Sequence, residues 1–362
     1  AAASPGRGGQ AAAPAAACGS DDDWSAPEEA PAGEVLHSRP KLSCCAARDS
    51  GLESFAQQEI LASELTLLEQ VATGSTAEVY RGLWRNRVVA IKELKTQSWY
   101  MSDSEKTTFL REMAVLGRVN HPNLVHMFGV TIACHPWRIV TEFCEGGTLW
   151  DLLYEQQDID ITWALRLKVC KDIAAAMDYL HRFPPPIVHR DLKSLNMLLA
   201  KELHRPSSSS GSPHRGSQSA DLPVIKVADF GLARMKEKPG SAWGKMTNRA
   251  GTLNWMAPEV LAGSLYDERV DVYSYAMVVY EVSCLEIPFE DEDPNSLAGL
   301  IIQGLRPSLK EAWPPDGPPL LARLMVACWA HEPQRRPCFE DVLATLEAIS
   351  TSLPGAAGAA RA

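Results

Sequence analysis

His189-Arg190-Asp191-Leu192-Lys193-Ser194-Leu195-Asn196, followed 33 residues after its asparagine by Asp229-Phe230-Gly231, is the stretch on which the reading of this chain turns. An acid, a lysine and an asparagine at these spacings share one short loop, and a second acid closes in from a later turn. Moving a phosphoryl group onto a hydroxyl calls for such a set: one carboxylate to orient the acceptor, a cation near the transferred group, and two oxygen ligands for Mg²⁺.

Upstream of this loop the pattern is that of strands. Leu65–Leu68 and Glu78–Gly82 read as two strands joined by a turn, and Arg87–Lys92 as a third, rich in β-branched residues. Ser104–Val119 has helical spacing of Phe109, Leu110, Met113 and Leu116, and two more strands are expected around Val125–Val130 and Arg138–Glu142. Downstream the chain turns helical, with helices expected at Leu149–Tyr154, Trp163–Arg182, Val270–Cys284, Asn295–Gln303, Pro319–Cys328 and Phe339–Ser350. Strands first and helices after imply an α+β protein of two lobes.

The motifs together resemble those of the eukaryotic protein kinases, over roughly Leu65–Ile349. That resemblance implies the bilobal kinase fold, with a β-rich lobe at about 65–142 and a mostly helical lobe at about 145–349. It also implies ATP as the phosphoryl donor, Mg²⁺ as the cofactor and protein substrates as partners. Asp191 would orient the acceptor hydroxyl, Lys193 would neutralise charge on the transferred group, and Asn196 and Asp229 would hold Mg²⁺. Lys92, ending Val89-Ala90-Ile91-Lys92, would grip the α- and β-phosphates, oriented by Glu112 on the following helix. His189 and Phe230 would stack with Leu116 and Met127 in a spine tying the lobes together.

The segment Val71-Ala72-Thr73-Gly74-Ser75-Thr76-Ala77-Glu78-Val79 stands where the family covers the phosphates. The family usually has three glycines here, because backbone amides must approach phosphate oxygens without a Cβ in the way. This chain keeps Gly74 at the tip and has Ala72 and Ala77 elsewhere, so nucleotide binding is expected to be weakened rather than lost. Val71, Ser75, Val79, Ala90 and Leu198 would enclose the nucleotide. Ile139–Gly147 would form the hinge that receives adenine, with Thr141 at the gate of the back pocket and Glu142 and Cys144 beside it.

Asp229–Glu259 would be the activation segment, closed by Ala257-Pro258-Glu259, with Glu259 paired to Arg336 and Asp271 anchoring the loop from below. Arg190 would lack a charge partner unless the segment is phosphorylated by an upstream activating kinase, at Ser241, Thr247 or Thr252, of which Thr247 is preferred. Tyr80–Arg85, Gly251–Glu259 and Cys328-Trp329 are similar to the tyrosine-kinase-like group, the branch of Raf-like and mixed-lineage kinases. Lys193 favours serine/threonine transfer. The alternatives are dual or tyrosine specificity and a pseudokinase scaffold, the last supported by the two missing glycines.

Composition is compatible with this reading. A formal charge of −10 gives a nucleic-acid role no support. Nine cysteines without a Cys-x-x-Cys pair point to reduced thiols, hence to a cytoplasmic setting, the nucleus being the other possibility. No apolar run reaches the ~18–20 residues of a membrane span; Val270–Phe289 comes nearest and is interrupted by Asp271, Glu281 and Glu286. Residues 1–55, rich in Ala, Gly, Pro and Ser, and the tail 350–362 are expected to be disordered, as is the Ser-rich insert 201–221. The chain begins at Ala1 and reads as a fragment or a processed form.

Overall fold

Side chains of a strand alternate between its two faces, and β3 uses both. The computed structural model of the chain describes residues 58–74, 77–95, 103–156, 158–203, 222–235 and 253–352. In β3 (Arg87–Leu94), Val89 and Ile91 are fully buried on one face, and Ala90 and Lys92 share the other. Around it, β1 (Leu65–Thr73), β2 (Ala77–Trp84), β4 (Met127–Thr131) and β5 (Arg138–Glu142) complete an antiparallel five-stranded sheet in the order β1-β2-β3-β5-β4. Helix α1 (Asp103–Leu116) turns Phe109, Met113 and Leu116 into the core, and Glu112 is buried beside them.

The second lobe is helical. Thr162 caps α2 (Trp163–His181) by accepting from Leu165 N at 3.3 Å. Short strands follow: β6 (Ile187–Val188), β7 (Met197–Leu199), β8 (Ile225–Val227) and β9 (Arg234–Met235), pairing as β6-β9 and β7-β8. Then come α3 (Pro258–Leu261), α4 (Arg269–Cys284), α5 (Pro294–Gln303), α6 (Leu309–Ala312), α7 (Pro319–Cys328) and α8 (Phe339–Ser352). Every residue of α4 from Val270 to Ser283 is buried. A helix apolar all round forms the centre of a lobe, and α4 carries two acids there, Asp271 and Glu281. No helix among the described residues is long and apolar enough to cross a membrane.

The strands and longer helices lie where the periodicity puts them, with three differences. The expected helix at Leu149–Tyr154 is a single wide turn, Asp151–Glu155, because Asp151 Oδ2 accepts from Thr148 N at 2.8 Å and holds the chain in a tight turn just before it. α8 continues to Ser352, so the irregular tail does not start at 350; Ser350 and Ser352 hydroxyls bond carbonyls of the helix's last turns. The third is a strap ahead of β1. Ile60 N donates to Val130 O at 2.8 Å, Thr131 Oγ1 donates to Ile60 O at 3.1 Å, and Glu59 bridges β4 in parallel. The strap covers the exposed edge of the sheet, and Ile60 joins a small core with Leu65, Val89, Ile91 and Val140. The expected disorder of residues 1–55, and of 204–221 within the insert, falls outside the described residues.

Gly129 makes the strap possible, since a Cβ there would lie 2.3 Å from Gln58 O and 2.8 Å from the Ile60 side chain. Gly129→Ala therefore expels the strap, and overpacking of this kind costs about 1–3 kcal/mol. Hydrogen exchange should show Ile60 losing protection in G129A; retained protection would mean that the edge accommodates the methyl.

Candidate active site

Three charged side chains meet where the two lobes face each other. Lys92, on the open face of β3, places Nζ 2.7 Å from Glu112 Oε2 and 3.3 Å from Asp229 Oδ1. Burial works against the Lys92 cation, but the carboxylates of Glu112 and Asp229 outweigh it and hold its pKa above the usual lysine range. The Lys92 charge in turn holds the Asp229 carboxyl at about 2. Asp229 adopts a left-handed backbone (φ 61°), unusual for a residue with a side chain, and its carboxylate accepts from Gly231 N at 3.4 Å. This bend turns Phe230 inward, fully buried, with its ring 5.1 Å from that of His189. Leu116 and Met127 are buried in the same core.

The loop His189–Asn196 lies beneath. Asp191 Oδ2 accepts from Lys193 Nζ at 2.9 Å and from Asn196 Nδ2 at 3.0 Å. Its other oxygen, Oδ1, is buried and has no hydrogen-bond partner. A buried carboxylate oxygen without a partner is costly. The loop is held from below: Asp271, fully buried on α4, accepts from His189 N and Arg190 N, each at 2.8 Å, and its Oδ2 lies 2.9 Å from His181 Nε2. Glu259 and Arg336 meet in two parallel bonds of 2.6 and 2.8 Å.

Arg190 has polar partners, none of them a carboxylate. Its guanidinium donates to Leu232 O and, at 2.7 Å, to Tyr266 OH. These acceptors are neutral, so burial draws the guanidinium pKa down. Tyr266 and His181 had no signal in the sequence, since a tyrosine in a turn and a histidine ending a helix are common. Ser241, Thr247 and Thr252 lie outside the described residues.

Above the cleft, Gly74 N donates to Ala77 O at 2.8 Å and closes the β1–β2 turn; Ser75 lies outside the described residues. Ala72 is exposed opposite Val79, as is Val71, whereas Ala77 is buried opposite Leu94. Val79 pairs with Lys92, and Ala90 with Thr141, so Val79 and Ala90 sit within the sheet beside Lys92. Leu198 reaches the segment after β5 through a bridge to Thr148. In that segment Glu142 spends its carboxylate on His126 N and Lys226 Nζ, both at 2.8 Å. Burial pushes the half-buried Cys144 thiol up to about 12.

Residues 65–346 match the family described as protein tyrosine and serine/threonine kinase. The chain is 33% identical over 296 residues to a probable serine/threonine-protein kinase of Dictyostelium discoideum, covering 82% of this chain and 29% of that protein. It is 35% identical, again over 82% of its length, to the dual specificity protein kinase pyk3 of the same organism, of which it spans 19%. With the serine/threonine-protein kinase VIK of Arabidopsis thaliana it shares 34% identity over 78% of this chain and 60% of the relative.

Proposed function

The chain belongs to the family of protein tyrosine and serine/threonine kinases, and on that premise we propose that it transfers the γ-phosphoryl group of ATP to serine or threonine hydroxyls of protein substrates. The observation that carries this reading is the Asp191 carboxylate. One of its oxygens is engaged by Lys193 and Asn196, and the other has no hydrogen-bond partner. An open carboxylate oxygen is the acceptor that a substrate hydroxyl needs as its proton leaves. Lys193, bonded to that same carboxylate, is poised beside the hydroxyl to offset charge on the transferred group.

The residues present fit Mg²⁺, a hard cation that takes few protein oxygens and completes its shell with phosphates and water. Asn196 commits its amide N–H groups to Asp191, which leaves its amide oxygen as a ligand. Asp229 stays ionised down to about pH 2 and is the second ligand. Mg²⁺ when bound neutralises charge on the phosphate oxygens. Lys92, oriented by Glu112, holds the nucleotide's phosphates, while Val71, Ala72, Gly74, Ser75, Ala77 and Val79 cover it. Ala90, Leu198 and the backbone of Thr141, Glu142 and Cys144 take the base. With Ala72 and Ala77 in place of glycines, fewer backbone amides approach the phosphates and ATP is held more loosely than the family norm.

The aligned Lys92–Glu112 pair and inward Phe230 favour an active enzyme over a pseudokinase. Similarity to relatives named as serine/threonine and as dual specificity kinases supports transfer to serine and threonine first, and the motifs Tyr80–Arg85, Gly251–Glu259 and Cys328-Trp329 are the ground for placing the chain in the tyrosine-kinase-like group. We place the enzyme in the cytoplasm, responsive to an upstream kinase acting on Thr247. The family assignment spans residues 65–346, and the chain spans less than two thirds of the relatives it matches. Incubation with labelled Mg-ATP and a basic protein substrate, followed by phosphoamino-acid identification, should give phosphoserine and phosphothreonine. Label confined to tyrosine would overturn the specificity, and no label would favour the scaffold.

A further inference from the structure

One side chain of the loop that carries Asp191 is turned the wrong way for a core residue. Leu192 is fully buried, and Ser194 and Asn196 are buried on either side of Leu195. Leu195 itself is 44% exposed. A single leucine on an open surface needs no explanation. This one adjoins Asn196 and lies two residues from Lys193, so a polypeptide that brings a hydroxyl to Asp191 passes over or beside it.

Two aromatic rings stand next to it. Ser194 Oγ donates to Glu281 Oε1 at 2.6 Å, and Tyr154 OH donates to the same oxygen at 3.3 Å. Sharing one acceptor atom puts the end of Tyr154 beside Ser194, the residue before Leu195. The half-buried Trp150 ring lies 4.5 Å from that of Tyr154, itself half-buried. The chain just ahead of Trp150 is tied to the strand just after Leu195: Gly146 N donates to Leu199 O at 3.1 Å, and Leu199 N donates to Gly147 O at 2.9 Å.

Charge at this place is already committed. Glu281 is fully buried, and its other oxygen accepts from Trp255 Nε1 at 2.7 Å. A basic side chain arriving over Leu195 meets no accessible carboxylate from it. The acid that acts on Tyr154 from the surface is the exposed Glu290.

We propose that Leu195, flanked by the Trp150–Tyr154 pair, determines acceptor specificity, and that it selects protein substrates with a large aliphatic or aromatic side chain within about three residues of the phosphorylated serine or threonine. The inference rests on the phosphotransfer reading above and names the substrate class for it. Seating an apolar side chain against Leu195 and the two rings takes all of these surfaces out of water. An arginine in the same seat would bring a charge to an apolar wall with nothing to pair it.

The test is a set of serine peptides in which each position within three of the acceptor is varied in turn. For the unaltered chain, leucine, methionine or phenylalanine at one of these positions should raise kcat/KM about tenfold over alanine, mainly through KM. Leu195→Glu should abolish that advantage and give arginine a comparable one at the same position, with Mg-ADP affinity within about twofold. Leu195→Ala and Trp150→Ala should each remove part of the apolar advantage and leave the other positions unchanged.

An unaltered chain without an apolar preference near the serine overturns the proposal. So does a preference for arginine there, which would assign the seat to Glu290. A merely structural role for Leu195 predicts that L195A slows transfer to every peptide by the same factor, and that result also overturns it. Should L195E not fold, L195A and W150A decide: an apolar preference untouched in both overturns the proposal. A chain that phosphorylates no peptide at all shows instead that the phosphotransfer reading fails, and the proposal with it.

Discussion

Asp191→Asn is expected to reduce phosphoryl transfer by about 10³-fold while leaving the fold and Mg-ADP binding intact, since general-base and orienting groups contribute about 10²–10⁴-fold. Asparagine matches aspartate in shape, so the loop, suspended from Asp271 by the amides of residues 189 and 190, keeps its place. What changes is the chemistry at Oδ1. That oxygen is buried and has no hydrogen-bond partner. In the variant one of the two positions becomes an NH₂ group. If it faces Lys193 and Asn196 it meets two donors; if it faces the open side it offers a donor where the substrate also donates. Steady-state transfer to a protein substrate, beside nucleotide-induced thermal stabilisation, separates the two effects. A variant that kept more than a tenth of the activity would show that Asp191 neither orients nor deprotonates the acceptor.

The second large effect concerns stability. Arg336 has no exposed side-chain surface, and its guanidinium holds Glu259 through two parallel bonds of 2.6 and 2.8 Å. It also donates to the carbonyls of Ala330, Arg269 and His331 and lies 5.2 Å from the Tyr273 ring centroid. Arg336→Ala strands Glu259, which is close to fully buried, and leaves three carbonyls short of a donor. Removing one member of a buried pair costs about 3–5 kcal/mol, a large share of the 5–15 kcal/mol that typically separates folded from unfolded chains. At roughly 2–4 °C per kcal/mol for a chain of this size class, melting should fall by about 10 °C. Denaturant titration measures the loss directly. The double variant Arg336→Met with Glu259→Gln should recover part of it, because no charge is then left unpaired. A loss under 1 kcal/mol in R336A would mean that water reaches Glu259.

The residues that meet in the cleft were legible because few side chains can do their work. A lysine 20 residues before a glutamate is unremarkable, yet Lys92 and Glu112 do meet at 2.7 Å. The turn at Asp229 was legible for the same reason. Other features leave no such trace. The strap at Gln58–Leu61 is too short for an alternating pattern, and its edge pairing is specified by a glycine 71 residues after Gln58. Arg190 finds Leu232 O and Tyr266 OH, partners far along the chain and chosen by the packing of lobes that sequence does not display. Glu281 was visible in the sequence only as a charge that spoils an apolar run. The same charge is the acceptor for Ser194, Tyr154 and Trp255.

Asp271 also sets an order of events during synthesis. It lies 82 residues after His189, whose amide it holds. The loop therefore leaves the ribosome well before the residue that shapes it. Until α4 has emerged and packed, the N–H groups of His189 and Arg190 have no buried carboxylate to settle on, and contacts this distant in sequence form late. A growing chain cut short before residue 271 would carry the whole motif His189–Asn196 and the acid at 229, and still be unable to modify its neighbours.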